Sequence, residues 1–319
     1  MSQPHSKRLL AVVAYLISAL CLFWVFRGMD FGKFVHQFET LQPGDLCLAI
    51  AFTTAVYFVN SLRWVILLRP LGRVQYWRAV QAVYIGLYLN EVLPLRPGEL
   101  VRCYLLARWS RFPLSNMFAA AAVERILDGL CMMAGFFVVA VAMKLPKSLV
   151  SGGAILAVSL LVITALWFIN AARRRAQQNQ AAPTTEKAAP GFLDALASMA
   201  NLRVTLVALA VSALSLICLI LGMWFLMKGG RIPLSLAQAA AVFLIIRVAT
   251  VIPNAPGNIG SYQFFCVLAM GLFGIEKSAA AAFSLLIYSA FTIPLLIGGT
   301  IAVLASGLKF KTLLAVREP

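Results

Sequence analysis

The chain has 319 residues, of which 62% are hydrophobic and 12% charged, with a mean hydropathy of +0.90. A soluble domain carries about half apolar and about a quarter charged residues, so the composition excludes a soluble enzyme or binding module and predicts an all-α polytopic membrane protein. The net charge is +16; basic loops gathering on the cytoplasmic face explain most of it, with anionic lipid head groups as a further contact and no nucleic-acid partner expected. The six cysteines form no CxxC pair and read as small buried hydrophobes. His5 and His36, the two histidines, leave no histidine-based metal site or triad to build, so neither metal nor cofactor is expected.

Lys7 and Arg8 precede an apolar run over 9–26, with no small-residue cleavage site after it, which reads as an uncleaved first span with a cytoplasmic N-terminus. Residues 46–68 form a second span; Arg63, Arg69, Arg73 and Arg78 follow or close it and place that end in the cytoplasm. Residues 79–93 are apolar but stop at Pro94 and Pro97, and 99–109 run back, each arm reaching roughly halfway through a ~30 Å hydrocarbon core. A re-entrant broken-helix hairpin fits better than two crossings. Spans follow over 115–143 and 149–169, then a Gln-, Ala- and Pro-rich stretch that reads as a cytoplasmic linker, 171–200, with a short interfacial helix at 192–199. Residues 202–227 form a fifth span, 236–252 and 259–273 a second hairpin broken over 253–257, and 279–308 a sixth span kinked at Pro294 and followed by Lys309, Lys311 and Arg317, which place the C-terminus in the cytoplasm. The expectation is one integral membrane domain, 1–319, of about six full spans plus two re-entrant hairpins, in a cell membrane, by this reading the bacterial inner one.

An offset of 159 residues superimposes the two broken segments. Val92-Leu93-Pro94-Leu95-Arg96-Pro97-Gly98 falls on Val251-Ile252-Pro253-Asn254-Ala255-Pro256-Gly257, Ala82-Val83 on Ala241-Val242, and Ala120-Ala121-Ala122 on Ala279-Ala280-Ala281. The first repeat unit is then 46–143 and the second 202–308, inverted because the second span runs inward and the fifth outward. Chance matches of Pro, Gly and Ala in apolar sequence are the alternative, which one fixed register over about 40 residues makes the weaker. Inverted repeats whose broken helices meet near the midplane are a transporter signature.

Lipid solvates neither charge nor broken backbone, so both tips belong inside protein or beside a wet cavity. At the first tip, Asn90, Glu91, Arg96, Gly98, Glu99 and Arg102 surround the start of a returning helix, whose free N–H groups and positive dipole end favour an anion; phosphate is the natural ligand. Either this is a head-group site, or Arg96 and Arg102 are ordinary cytoplasmic-side cations and Glu99 caps the dipole. The second tip offers Asn254, Gly257, Asn258, Gly260 and Gln263, polar and uncharged, and reads equally as a head-group site or a packing turn. Glu124, Arg125 and Asp128 lie inside the third span. Arg125 and Asp128 are spaced to pair, Glu124 and Asp128 share a face, and Arg247 is the candidate partner for the excess negative charge. That network is either structural or a relay. No nucleophile triad, P-loop or metal cluster appears, and an enzyme is not expected.

The motifs at 90–102, Glu124-Arg125-Ile126-Leu127-Asp128 and Pro256-Gly257-Asn258-Ile259-Gly260 resemble the flippase-like family found as the transmembrane region of lysylphosphatidylglycerol synthases, over most of the chain. The chain is similar to the stand-alone members, and many relatives carry a glutamate where Gln263 stands and an arginine near Ser289. The resemblance implies movement of an aminoacylated phospholipid or a polyprenyl-linked glycolipid between leaflets. The expected function is thus a flippase or scramblase for an anionic or isoprenoid-linked lipid, whose phosphate-bearing head group sits between the hairpins. The alternative is a non-catalytic accessory subunit of a glycolipid or hopanoid-type lipid synthase, with that enzyme as partner.

Overall fold

The computed structural model describes residues 4–27, 32, 41–93, 96–144, 147–180, 191–250 and 256–307. Eleven α-helices and one 3-10 turn account for the secondary structure of these residues, and no strand occurs among them. In chain order they are α1 (Pro4–Phe26), α2 (Pro43–Leu68), α3 (Tyr76–Val92), α4 (Gly98–Ser110), α5 (Leu114–Ala142), α6 (Lys147–Gln180), α7 (Phe192–Met199), α8 (Leu202–Gly229), α9 (Leu236–Ala249), α10 (Ser261–Gly271) and α11 (Lys277–Ser306). Five are long and apolar enough to cross a membrane: α2, α5, residues Val150–Arg174 of α6, α8 and α11. The α1 helix has 23 residues, roughly 34 Å at the helical rise, and its Tyr15–Phe26 stretch is apolar. The polytopic all-α expectation therefore holds. Residues 171–180 continue α6, 181–190 lie outside the described residues, and 192–199 form α7.

Local chemistry sets several helix ends. Ser235 and Gln238 cap each other at the start of α9: the Ser235 N–H donates to Gln238 Oε1 at 2.8 Å and Ser235 Oγ accepts the Gln238 N–H at 3.4 Å. Asn201 Oδ1 accepts the Arg203 and Val204 amides at the start of α8. Gly307 ends α11 at φ 66°, the left-handed stop that glycine takes without Cβ strain. The broken helices are short: α3, α4, α9 and α10 have 17, 13, 14 and 11 residues, each below the roughly 20 a crossing needs.

The chain divides into two compact units. Unit one holds Met1–Ala55, Tyr84–Glu99 and Cys218–Pro319; unit two holds Val56–Val83 and Leu100–Ile217. In unit one, α10 packs on α1, α9 and α11. Gly298 and Gly299 of α11 receive the rings of Tyr84 and Tyr88 from α3, where any Cβ would overlap them. Trp24 of α1 meets Phe264 of α10 edge-on at 4.9 Å. In unit two, α5, α6 and α7 pack together around a core that includes Trp64, Leu67, Met117, Leu127, Trp167 and Met199. The Trp167 indole N–H donates to the Leu196 carbonyl at 2.8 Å and ties α6 to α7. Arg174 and Asp194 also join these helices, 3.2 Å apart with both side chains more than a third exposed. Exposed pairs contribute about 0–1 kcal/mol, so Arg174→Ala will leave thermal stability in detergent nearly unchanged.

The α2 and α8 helices run antiparallel in each unit. In unit one Asp45 lies 3.4 Å from Lys228 and Thr53 packs on Gly222, whose close approach a Cβ would restrict. In unit two Asn60 accepts from Ser215 at 3.0 Å and Arg63 donates to Ser212 at 2.7 Å. The 159-residue shift carries Thr53 onto Ser212 and Arg63 onto Gly222, so the two contacts exchange.

Candidate functional site

The first tip closes on a glycine. The Gly98 N–H, the first of α4, donates to Asn90 Oδ1 of α3 at 2.8 Å. The Gly98 Cα sits so close to α3 that a Cβ would overlap the Gly86 carbonyl oxygen. Only glycine allows the two arms this approach. The second tip repeats the device with other atoms. The Gly260 N–H donates to Gln263 Oε1 at 2.7 Å, and a Cβ on Gly260 would overlap the Ser18 backbone of α1. Free N–H groups expected at the returning helices are thus partly answered from within the chain, by Asn90 and Gln263. Glu99, in the first turn of α4, adds negative charge where the helix dipole favours it.

Within unit one the two tips meet. Glu91, near the end of α3, accepts a hydrogen bond from the Tyr288 hydroxyl of α11 at 3.1 Å. Gly257, at φ 61°, lies against both groups: a Cβ there would meet the Tyr288 hydroxyl and the Glu91 carboxylate. Arg96 acts electrostatically on the same carboxylate and holds a left-handed φ of 51°. Tyr262 stands edge-on to Tyr288 at 5.6 Å, and the Asn258 carbonyl accepts from Ser261 Oγ at 3.0 Å. Among the described residues the buried Asn258 Oδ1 has no hydrogen-bond partner. The structure therefore assembles Asn90, Glu91, Arg96, Gly98, Gly257, Asn258, Gly260 and Gln263 in unit one. Asn254, with Pro94, Leu95, Pro253 and Ala255, lies outside the described residues.

Arg102 has a different task from the head-group contact expected of it. It is 3% exposed, donates to Glu124 Oε2 at 2.8 Å and stacks over the Trp64 ring at 4.5 Å. Glu124 is 2% exposed; it also pairs with Arg63 and accepts from the Trp64 indole N–H at 2.9 Å. Arg63 is 1% exposed and bridges Glu124 to Asp128. Arg63, Arg102, Glu124 and Asp128 thus form a charge-balanced cluster inside unit two. Asp128 pairs with Arg63 where the sequence pointed to Arg125, which is 4.0 Å from Glu124 with its side chain 55% exposed. Arg247, the other expected counter-charge, belongs to α9 of unit one and is exposed.

Arg63, Trp64 and Tyr288 make contacts at these clusters that the sequence alone does not single out. Arg63 reads there as the basic end of its span, yet the apolar stretch 64–68 separates it from Arg69 and places it a turn and a half inside the helix. Tyr288 carries no local signal; its role comes from facing Glu91 across the fold.

The family described as Lysylphosphatidylglycerol synthase TM region matches residues 11–299. A UPF0104 membrane protein of Methanocaldococcus jannaschii is 22% identical over 298 residues, which cover 86% of this chain and 89% of that protein. A UPF0104 membrane protein of Methanothermobacter thermautotrophicus is 20% identical, over 79% of this chain and 82% of that one. Glycosyltransferase AglD of Haloferax volcanii is 26% identical over 124 residues, 39% of this chain and 20% of that enzyme. With the match running through α1 to α11, this multi-pass membrane protein belongs to the lysylphosphatidylglycerol synthase TM-region family.

Proposed function

We propose that the protein moves an anionic or isoprenoid-linked lipid between leaflets, with the head group held at the meeting of two re-entrant hairpins, α3–α4 and α9–α10. The observation that carries this is the approach of Glu91, from the first broken segment, to Gly257, from the second. Broken backbone in a bilayer survives only in protein or beside a wet cavity, and one cavity at the meeting of the two breaks would serve both. The antiparallel contacts of α2 and α8 support an inverted repeat, the architecture in which such breaks meet at the midplane. Arg96 supplies the positive charge for a phosphate. Glu91 holds that charge when the site is empty, and an arriving head group takes its place, so binding and release exchange one anion for another. The tails remain in lipid, and no bond is made or broken.

Reconstituted liposomes carrying a fluorescent anionic phospholipid test this. Arg96→Ala will slow transbilayer movement by about ten-fold, the loss of one charge-assisted contact. Glu91→Gln will tighten apparent binding and lower the maximal rate, because the competing anion is gone. Movement no faster than in protein-free liposomes refutes the reading. The local likeness to a glycosyltransferase favours a second reading, an accessory subunit of a lipid-glycosylating enzyme. Affinity capture of the protein would then bring down such an enzyme in stoichiometric amount.

A further inference from the structure

Unit two carries a groove of its own, which uses none of the residues of the tips. A groove of about 460 Å³ opens where α2 ends and α8 begins, lined by Ile66, Arg69, Pro70, Asn201, Arg203, Val204 and Val207. Its chemistry is split along its length. Arg69 and Arg203, both exposed, stand just at the ends of the two apolar spans. Ile66, Val204 and Val207 line it farther in along those spans. Among the described residues neither guanidinium has an ion-pair partner, whereas Arg63, a turn and a half deeper on α2, is committed to Glu124 and Asp128. The Asn201 Oδ1 accepts the α8 amides, and the two arginines supply the positive charge for a ligand. Two planar forks suit a phosphate, and an apolar wall running from them into a span suits an acyl chain.

We propose that this groove binds one anionic phospholipid, its phosphate between Arg69 and Arg203 and a chain along Ile66, Val204 and Val207. The bound lipid bridges the end of α2 to the start of α8. Contact with anionic lipid is worth about a few-fold to ten-fold in affinity per basic residue at the surface, so the pair gives a site that distinguishes lipid charge.

Native mass spectrometry of the full chain in detergent, titrated with phosphatidylglycerol or phosphatidylcholine, tests the site. Phosphatidylglycerol is expected to bind at least ten-fold more tightly than phosphatidylcholine. The Arg69→Gln/Arg203→Gln double variant removes that preference, while Arg73→Gln, an exposed arginine nearby that does not line the groove, keeps it. Phosphatidylglycerol also raises the melting temperature of the wild type and not that of the double variant. Inorganic phosphate at millimolar concentration leaves lipid binding unchanged. Equal binding of the two lipids, an unaltered preference in the double variant, or full competition by inorganic phosphate overturns the proposal. None of these readouts requires lipid to cross the bilayer, so they fail or succeed apart from transport at the tips.

Discussion

Glu124→Gln will cost unit two about 3–5 kcal/mol, the penalty for breaking a buried ion pair by removing one partner. The Glu124 carboxylate takes Arg63 on one oxygen and the Trp64 indole and Arg102 on the other. A glutamine keeps one acceptor oxygen and turns an NH2 group toward donors. Arg63 and Arg102, at 1% and 3% exposed, then share Asp128 as the one remaining acid of the cluster. Each uncompensated charge in a span costs about 3 kcal/mol on insertion scales, so the cluster cannot relax by exposing one to lipid. The pairwise origin is testable. Arg63→Gln/Glu124→Gln leaves Arg102 and Asp128, again neutral in sum, and will recover more than half of the melting-temperature loss of Glu124→Gln alone. Thermal unfolding followed by size-exclusion fluorescence in detergent reads both. A double variant as unstable as the sum of the singles would show that the cluster acts by packing rather than by charge.

That cluster also shows how far the sequence carries. Spans are legible because soluble helices rarely sustain an apolar run of membrane length, and the two breaks because Pro and Gly end helices by themselves. The intramembrane acids Glu124 and Asp128 are legible too, since a carboxylate in a span must find a partner. The identity of that partner is not. Arg63 lies 61 residues from Glu124, and no spacing rule links two helices through space. The positive-inside rule supplies a sufficient reason for Arg63 and Arg102, and a local rule that suffices hides a tertiary role. The same holds at the tips. Pro97, Gly98 and Gly257 announce turns, but the meeting of Glu91 with Gly257 and Tyr288 depends on α11 packing, which the turn residues do not encode. Gln263 illustrates the converse: its Oε1 accepts the Gly260 N–H, a short-range bond between residues three apart that the helix start at Ser261 makes possible.

Gly98→Ala will abolish transport while leaving the protein inserted. An alanine Cβ at this position overlaps the Gly86 carbonyl oxygen and presses on Asn90 Oδ1. The obstacle is backbone, so no side-chain rotation relieves it, and the arms α3 and α4 must separate. Overpacking costs typically about 1–3 kcal/mol, to which the loss of the Asn90 cap adds about 1 kcal/mol. Separation moves Arg96, two residues from Gly98, away from Glu91, and with it the charge that the proposed head group needs. Gly260→Ala is the matched test at the second tip, where the obstacle is the Ser18 backbone of α1 and the φ of 91° adds strain for any side chain. Asn90→Ala separates the two contributions. It removes the cap without the clash, and will lower the melting temperature modestly and leave a measurable rate of lipid movement. Should Gly98→Ala flip lipid at the wild-type rate while melting lower, the closeness of the two arms serves stability alone, and Arg96 does not act from the position it holds beside Glu91.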